Sequence, residues 1–437
     1  MFLEKEGKLI YSYDGETVCI EAWGKDALRV RATKNRSFTD RDWALEAKDA
    51  HAGEVEIFED PSAKGGAFAN MYEGTDTSYG KITNGKLRAV IDSGSVITFY
   101  HEDGRVLLKE HFRRLRDEES MPLNIMGREY SNGVGDNFRI VARFVARKGE
   151  KIFGMGQYQQ HELDLKGCML ELAQRNSQVS VPFYLSSIGY GFLWNNPGVG
   201  QVMFANNGTE WVTESGKEID YLVIAGDTPA EIEENYMTLT GKPPMMPEYG
   251  MGFWQCKLRY WNQEQLLSVA RKYKELGVPL DVIVVDFFHW TKQGEFKFDP
   301  KYWPDVPGMC RELKEMGIQV VVSVWPTVDI YSENFEEMKE KGYLVRTEHG
   351  VPLTMLCGGN EVFFDATNPD ARTYVWEKIK KNYYDQGAKL FWLDVAEPEY
   401  SVYDFKNYRY QLGSVQEVGN IYPKYYLKAF YDGMTAE

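Results

Sequence analysis

The stretch VIVVDFFHW, residues 282–290, decides the architecture of the second half of the chain. Four β-branched residues in a row are typical of a strand buried on both faces, as strands of parallel sheets are. On the N-terminal side of this strand, Asn262 can cap a helix with one apolar face, and Gly277 can end that helix. A helix that leads into a doubly buried strand is the repeat unit of a parallel α/β fold.

The alternation of strands and helices begins before this stretch and continues after it. One helix is predicted around Met309 and Leu313, and another begins at Asn368. Parallel strands joined by helices form either a (β/α)₈ barrel or an open doubly wound sheet. The three further predicted strands are Gly250–Cys256, Gln319–Trp325 and Lys389–Asp394.

The N-terminal half has a different pattern, with many short strands and no long helical period. Asn84-Gly85 and Asp103-Gly104 lie between apolar runs and predict tight hairpin turns. Frequent short strands of this kind indicate an antiparallel β-sandwich. Thr228 can cap a helix, and the proline-rich segment after Gly241 favours a linker. We therefore predict a sandwich over 1–227, a connecting helix and linker over 228–248, and a barrel over 249–437.

Composition excludes several classes of function. The 437 residues carry 50 Lys+Arg and 65 Asp+Glu, a net charge of −15 that argues against nucleic acids and anionic membranes as partners. There is no apolar run long enough to span a bilayer, and the first residues lack the pattern of a signal peptide. Five widely spaced cysteines are typical of a reduced, cytoplasmic protein. A homo-oligomer is compatible with this composition.

Other catalytic chemistries lack their motifs. The sequence has no HExxH, no phosphate-binding loop, no GxSxG and no CxxC pair. Its six histidines are scattered, which predicts no clustered metal site. No metal ion or organic cofactor is implied.

Polar and aromatic residues are concentrated where the predicted strands end. In either parallel architecture the active site lies at the carboxyl ends of the strands. Carboxylates framed by aromatic rings suit the chemistry of a glycosidic bond, in which one carboxylate attacks and another donates a proton. The residues at these strand ends are Asp286, His289, Trp290, Trp325, Asp394, Glu397 and Glu399.

Each of these residues also has an ordinary structural interpretation. Asp286 and Asp394 could cap the helices that follow them, and His289 could be a satisfied polar residue of the core. Trp325 could serve packing alone, as could most of the 11 Trp, 28 Tyr and 23 Phe. The concentration at three strand ends favours the functional interpretation.

Five segments resemble glycoside hydrolase family 31, the retaining α-glucosidases and α-xylosidases. They are GMGFWQCKLRYW, VIVVDFFHW, VVVSVWP, FFDATNPDAR and FWLDVAEPEY. The resemblance implies that Asp394 is the nucleophile, Glu397 a supporting carboxylate, and Asp286 a ligand of sugar hydroxyls. It also implies that Trp325 lines the same subsite, where we expect His289 and Trp290 to contact the substrate. In the N-terminal half, FGMGQYQQ is similar to the family's sandwich, which lends a loop to the active site.

The family's general acid/base lies well beyond the nucleophile, on a later strand. Only 43 residues follow Asp394 in this chain. From Tyr249 to the end there are 189 residues, against about 250 for an uninterrupted barrel. We therefore expect a β-sandwich followed by about the first half of a (β/α)₈ TIM barrel, with the acid/base residue not in this chain.

The expected function is hydrolysis of terminal, non-reducing α-linked xylose or glucose from an oligosaccharide by a retaining mechanism. One alternative is a non-catalytic α-glycoside-binding protein or an inactive truncated relative. Transglycosylation and a lyase reaction would use the same nucleophile and are further alternatives.

Overall fold

A computed structural model describes residues 1–46, 49–61, 76–111, 113–115, 123–350, 355, 359–400 and 403–437. These residues form two compact units. The first unit comprises Met1–Ala173 and Ser177–Pro243, and the second comprises Gln174–Asn176 and Pro244–Glu437. The short segment 174–176 thus belongs to the second unit, although its neighbours in sequence belong to the first.

The first unit is built from strands joined largely by short turns. The strands are β1 (Phe2–Lys5), β2 (Lys8–Tyr13), β3 (Glu16–Trp23), β4 (Ala27–Thr33), β5 (Ala50–His51), β6 (Glu54–Phe58), β7 (Tyr79–Asn84), β8 (Leu87–Asp92), β9 (Ile97–His101), β10 (Val106–Lys109), β11 (Arg113–Leu115), β12 (Leu123–Ile125), β13 (Arg128–Asn132), β14 (Phe138–Phe144), β15 (Ile152–Gln157), β16 (Met169–Leu172), β17 (Val179–Ser186), β18 (Tyr190–Trp194), β19 (Gly200–Ala205), β20 (Gly208–Gly216) and β21 (Ile219–Ala225).

Antiparallel pairing joins these strands into three larger sheets and one small pair. The largest sheet has the order β1-β2-β3-β4-β21-β18-β17-β15, with β5 beside β3. The other two have the orders β10-β9-β8-β7-β6 and β13-β14-β20-β19-β16, and β11 pairs with β12. The prediction of hairpins at Asn84-Gly85 and Asp103-Gly104 is confirmed, since the turns join β7 to β8 and β9 to β10. Gly85 and Gly104 have φ of 55° and 89°, which glycine adopts without strain.

The core of the first unit is rich in aromatic rings. Phe192, Trp194 and Trp211 are fully buried and stack with ring centroids 5.2–5.5 Å apart. Stacked aromatic pairs add packing energy beyond the area that they bury. Much of the aromatic excess of the sequence therefore lies in this core.

Helix α1 (Pro229–Thr240) follows the last strand of the first unit. Thr228 Oγ1 accepts the backbone N–H of Glu231 at 3.2 Å, which confirms the predicted cap. Ile232 and Leu239 of the helix are buried in a cluster that includes Trp23. The helix predicted as part of a connecting segment thus packs into the first unit.

The second unit alternates strands with helices. Its strands are β22 (Trp254–Gln255), β23 (Val282–Val285), β24 (Gln319–Val324), β25 (Thr327–Asp329), β26 (Arg346–Thr347), β27 (Glu361–Phe363), β28 (Leu390–Leu393) and β29 (Tyr408–Arg409). Its α-helices are α2 (Gln263–Glu275), α3 (Val306–Glu315), α4 (Phe335–Glu340), α5 (Pro369–Asn382), α6 (Val415–Val418) and α7 (Tyr422–Thr435), with 3₁₀ turns at Glu248–Met251, Tyr384–Gln386 and Gly419–Ile421.

A parallel sheet with the order β22-β23-β24-β28 forms the centre of this unit. All four residues of β23 are buried, as the β-branched run predicts. Asn262 and Asn368 cap α2 and α5 through their side chains, which confirms two predicted helix starts. The first strand is shorter than expected: Glu248–Met251 forms a 3₁₀ turn, so that only Trp254–Gln255 pair with β23.

No helix within the described part of the chain is long and apolar enough to cross a membrane. Cys19, Cys168, Cys256 and Cys310 are free thiols. Cys357 lies outside the described residues.

Candidate active site

The first residues after the four parallel strands meet at one edge of the sheet. Cys256 follows β22, Asp286 follows β23, Trp325 follows β24 and Asp394 follows β28. Because the strands are parallel and in register, their carboxyl ends lie side by side. Hydrogen bonds join these four residues as two neighbouring pairs, Cys256 with Asp286 and Trp325 with Asp394.

Asp394 is held by its side chain and by its backbone. The indole Nε1–H of Trp325 donates to Oδ2 of Asp394 at 3.0 Å. The backbone N–H of Asp394 donates to the carbonyl of Val324 at 3.1 Å, and Tyr426 Oη donates to the same carbonyl at 2.8 Å. A carboxylate fixed in this way presents its oxygens in one orientation, which suits attack on a bound carbon atom.

Asp286 accepts two hydrogen bonds from residues that the structure describes. The backbone N–H of Phe287 donates to Oδ1 at 2.8 Å, and Cys256 Sγ donates to Oδ2 at 3.4 Å. Burial raises the pKa of Asp286 above its ordinary value, and the negative charge of Asp394 adds to this effect. The two hydrogen bonds act in the opposite direction. Asp394 therefore lies close enough for its charge to act on Asp286.

A third carboxylate, Glu397, lies on the same loop as Asp394. Its Oε2 is buried and, within the part of the chain that the structure describes, has no hydrogen-bond partner. Burial raises the pKa of Glu397, and the charges of Glu399 and Asp394 raise it further. A buried oxygen of this kind is able to accept a hydrogen bond from a ligand.

Glu399 is anchored by the segment 174–176 of the second unit. Asn176 Nδ2 donates to Glu399 Oε1 at 2.7 Å, and the backbone N–H of Asn176 donates to Tyr403 Oη at 3.2 Å. The guanidinium of Arg175 lies 4.2 Å from the centroid of the Tyr403 ring, within the range of a cation–π contact. These contacts hold the loop that follows Glu397 at the edge of the site.

Aromatic rings surround the two aspartates. The ring centroid of Trp325 lies 5.5 Å from that of Phe287, 5.6 Å from that of Trp290 and 6.0 Å from that of Phe288. Phe288 is 43% exposed, so one apolar face remains open to solvent. Flat faces of this type can stack on the C–H groups of a sugar ring.

Two residues within two positions of the aspartates have a left-handed backbone. Phe288 has φ of 59° and Val395 has φ of 57°. This conformation is strained in any residue with a side-chain Cβ, and especially in a β-branched residue such as valine. Strain of this kind is concentrated at functional sites, where the surrounding structure must maintain it.

His289, which we expected to contact the substrate, is buried beside the loop that carries Asp286. The side chain is 1% exposed, and burial lowers its pKa to about 4. Its Nδ1 lies 3.0 Å from the carbonyl oxygen of Asp286, and its Nε2 lies 2.9 Å from Tyr383 Oη. Both ring nitrogens are occupied, so a sugar could reach neither without breaking one of these bonds. We therefore assign His289 to the support of the loop that carries Asp286.

One group in the first unit has the composition of a metal site. His101, Glu102 and Asp227 bring potential ligand atoms within 4.8 Å of one another. Lys86 Nζ donates to Asp227 Oδ2 at 2.5 Å, so an ammonium group already neutralises this carboxylate. The arrangement is better described as an ion-pair network than as a cation site.

Cys256 and the anchoring residues of segment 174–176 were not predicted as site residues. Cys256 could have been found from its place directly after the first strand, which is the place that Asp286, Trp325 and Asp394 occupy after theirs. No local signal in the sequence marks Asn176, because its partner Glu399 is 223 residues away.

Three comparisons show which known proteins the chain is similar to. The family model of the glycosyl hydrolases family 31 TIM-barrel domain matches residues 243–437. The family 31 glucosidase ORF2 of Pseudescherichia vulneris, itself described as uncharacterized, is 45% identical over 100% of this chain and 81% of its own length. Alpha-xylosidase A of Aspergillus niger is 29% identical over 96% of this chain and 59% of its own length.

A solved structure extends the similarity to the whole described fold. The GH31 alpha-xylosidase from a soil metagenome, complexed with xylose, has a TM-score of 0.92 and 50% sequence identity. The match covers 100% of this chain and 63% of the soil enzyme, so this chain spans somewhat less than two thirds of that relative. With a relative 45% identical over 81% of its length, the chain belongs to glycosyl hydrolase family 31.

Proposed function

We propose that this protein hydrolyses terminal, non-reducing α-linked xylose or glucose from oligosaccharides by a retaining double displacement. The observation that carries the proposal is the bond from Trp325 Nε1 to Asp394 Oδ2, which fixes a carboxylate at the end of a parallel strand beside Asp286. Relatives named as xylosidases and glucosidases support the substrate class. The soil enzyme complexed with xylose supports a pentose as one substrate.

In the first step, a carboxylate oxygen of Asp394 attacks the anomeric carbon of the α-glycoside from the β face. The bond from this carbon to the leaving oxygen breaks, and the leaving oxygen takes a proton from an acid. The product is a β-glycosyl ester of Asp394 and a free alcohol. In the second step, water attacks the same carbon and gives a proton to a base. The ester bond to Asp394 breaks, which frees the carboxylate and releases the sugar in the α configuration.

The neighbouring residues have separate roles in this proposal. Asp286 accepts hydrogen bonds from hydroxyl groups of the sugar, and such bonds contribute most when they strengthen in the transition state. Trp290 and Trp325 provide apolar surface for the ring. Glu397, whose Oε2 is buried without a partner among the described residues, supports the charge that develops beside Asp394.

The mechanism requires a second carboxyl group as acid and then as base. We assign this role, as the family resemblance implies, to the region of the relatives that this chain does not span. In the same way, we propose that β22, β23, β24 and β28 are the first strands of a (β/α)₈ barrel whose other strands belong to that region.

The test is the stereochemistry of hydrolysis by the whole protein. Aryl α-xyloside and aryl α-glucoside are supplied separately, and proton NMR records which anomer of the free sugar appears first. The proposal expects the α anomer, and expects the variant Asp394→Ala to lose turnover while still binding the sugar. First appearance of the β anomer would contradict double displacement. Binding without turnover by the wild-type protein would favour the sugar-binding alternative.

A further inference from the structure

We propose that Cys256 is a positioning residue for this reaction: its thiol donates a hydrogen bond to Asp286 and orients the carboxylate that holds the sugar. The inference rests on the proposed function for the role of Asp286. The contact itself rests on the structure, in which Cys256 Sγ lies 3.4 Å from Asp286 Oδ2.

The sheet explains why these two side chains meet. Strands β22 and β23 are parallel neighbours, with Gln255 opposite Ile283. The residue after Gln255 therefore lies beside the carboxyl end of β23, where Asp286 leaves the strand. Phe287 N–H donates to Oδ1 and Cys256 donates to Oδ2, so each oxygen of the carboxylate accepts a hydrogen bond from a described residue. Two donors on different oxygens restrict rotation of the carboxylate and prepare it for the substrate.

The protonation state of Cys256 agrees with the role of a donor. Burial and the charge of Asp286 raise the pKa of Cys256 to about 11, so the group is a thiol at neutral pH. A thiolate at this position would be repelled by Asp286 and could not donate. The other acceptor near the sulfur is the carbonyl of Lys257, at the longer distance of 3.7 Å. The protonated thiol thus excludes an interpretation of Cys256 as a nucleophile.

The first test compares Cys256→Ala with Cys256→Ser in the whole protein. Among the described residues, the ionisable side chains that act on Asp286 are those of Cys256, which follows β22, and Asp394, which follows β28, while His289 faces the backbone carbonyl of Asp286. Loss of the thiol donor makes ionised Asp286 less stable and raises its pKa. We expect Cys256→Ala to increase KM roughly three- to ten-fold, with a smaller change in kcat. The acid limb of kcat/KM should also move to higher pH.

Serine retains a donor, so Cys256→Ser should restore the wild-type position of the acid limb. Cys168→Ser, which removes a thiol from the first unit, is the matched control and should behave as wild type. If Cys256→Ala keeps the wild-type KM and pH profile, the inference is wrong. Equal loss of kcat in the alanine and serine variants, without a shift of the acid limb, would indicate a packing role and would also contradict it.

The second test does not depend on glycosidase activity. Asp286→Asn removes the charge that disfavours the thiolate, so the exposed Cys256 should react several-fold faster with iodoacetamide at mildly alkaline pH. Mass spectrometry of the same sample gives the rate at Cys168 as an internal reference. If the ratio of the rates at Cys256 and Cys168 is the same in Asp286→Asn as in wild type, the contact is overturned, even where the wild-type protein hydrolyses its substrate. A raised ratio, combined with a wild-type protein that does not hydrolyse α-glycosides, would instead overturn the proposed function and leave the contact standing.

Discussion

Trp325 donates its indole N–H to Oδ2 of Asp394 at 3.0 Å, across the neighbouring strands β24 and β28. The same strands are also joined where the N–H of Asp394 donates to the carbonyl of Val324. The aspartate is thus held through both its backbone and its side chain by residues at the end of the adjacent strand. A preorganised carboxylate loses little freedom when the substrate binds, which lowers the barrier to attack.

Trp325→Phe tests this contact, because it keeps an aromatic ring and removes the donor. Hydrogen bonds to charged groups contribute about 1.5–3 kcal/mol, so we expect kcat/KM to fall roughly 10- to 100-fold. Trp254→Phe is the control, since Trp254 Nε1 donates to the carbonyl of Gly250 at 3.1 Å and not to a carboxylate. Similar losses in the two variants would show that the bond to Asp394 has no special role.

His289 should make the stability of the second unit depend on pH. Its folded pKa of about 4 is lower than its ordinary value of 6.5, so the unfolded chain binds more protons between these values. Stability therefore rises with pH through this window and is lost as the pH falls. As the pH falls from about 7 to about 5, the histidine lowers the free energy of unfolding by about 2 kcal/mol.

Urea unfolding of His289→Gln at both pH values measures this contribution. The variant should lose less stability on acidification than the wild-type protein, by about 2 kcal/mol. His349→Gln replaces an exposed histidine and should keep the wild-type dependence. An identical dependence in His289→Gln and wild type would refute the buried, neutral state of His289.

Glu397 should lower the stability of the folded protein at neutral pH. Its pKa is raised in the folded state, so the folded protein binds more protons above the ordinary pKa, and stability falls as the pH rises through this range. Glu397→Gln should therefore stabilise the protein by about 1 kcal/mol at neutral pH and reduce its activity. Thermal unfolding measures the gain, which should disappear at acidic pH, where Glu397 is protonated.

The control for this change is Glu399→Gln. The carboxylate of Glu399 already accepts a hydrogen bond from Asn176, so we expect no stabilisation. A gain of the same size in both variants would indicate a general effect of the acidic charge of the chain, and not the burial of Glu397.

Asn176→Asp tests the anchor of Glu399 with almost no change of volume. The new carboxylate would face Glu399 Oε1, where the amide now donates at 2.7 Å. We expect a loss of about 1–2 kcal/mol in unfolding free energy at neutral pH. Most of this loss should be recovered near pH 4, where carboxyl groups become protonated. A loss that does not depend on pH would contradict this explanation, because it could not come from repulsion between two carboxylates.

Local patterns in the sequence were sufficient to predict much of the sheet. The β-branched run of β23 and the caps at Asn262 and Asn368 depend on neighbouring residues alone, and they form as expected. The first strand was predicted too long, because Gly250 and Met251 belong to a 3₁₀ turn and the strand begins only at Trp254. An apolar run does not distinguish these two conformations.

The positions of the site residues depend on contacts that are distant in sequence. His289 is buried by Tyr383, which is 94 residues away, so its exposure could not be inferred from the loop that carries it. Cys256 and Asp286 meet because β22 pairs with β23 in a particular register, which composition does not specify. Residue types at strand ends thus predicted that Asp286, Trp325 and Asp394 lie close together. They did not predict which side chains face the solvent.

The assignment of Asp394 as the nucleophile is tested most directly by trapping the covalent intermediate. The whole protein is incubated with a fluorinated α-glycosyl fluoride, whose glycosyl ester is hydrolysed slowly, and the labelled peptide is identified by mass spectrometry. We predict one glycosyl group per protein, attached to Asp394 and absent from the Asp394→Ala variant. A label on Asp286, Glu397 or Glu399, or steady turnover of aryl α-glycosides with no trapped ester, would contradict the assignment.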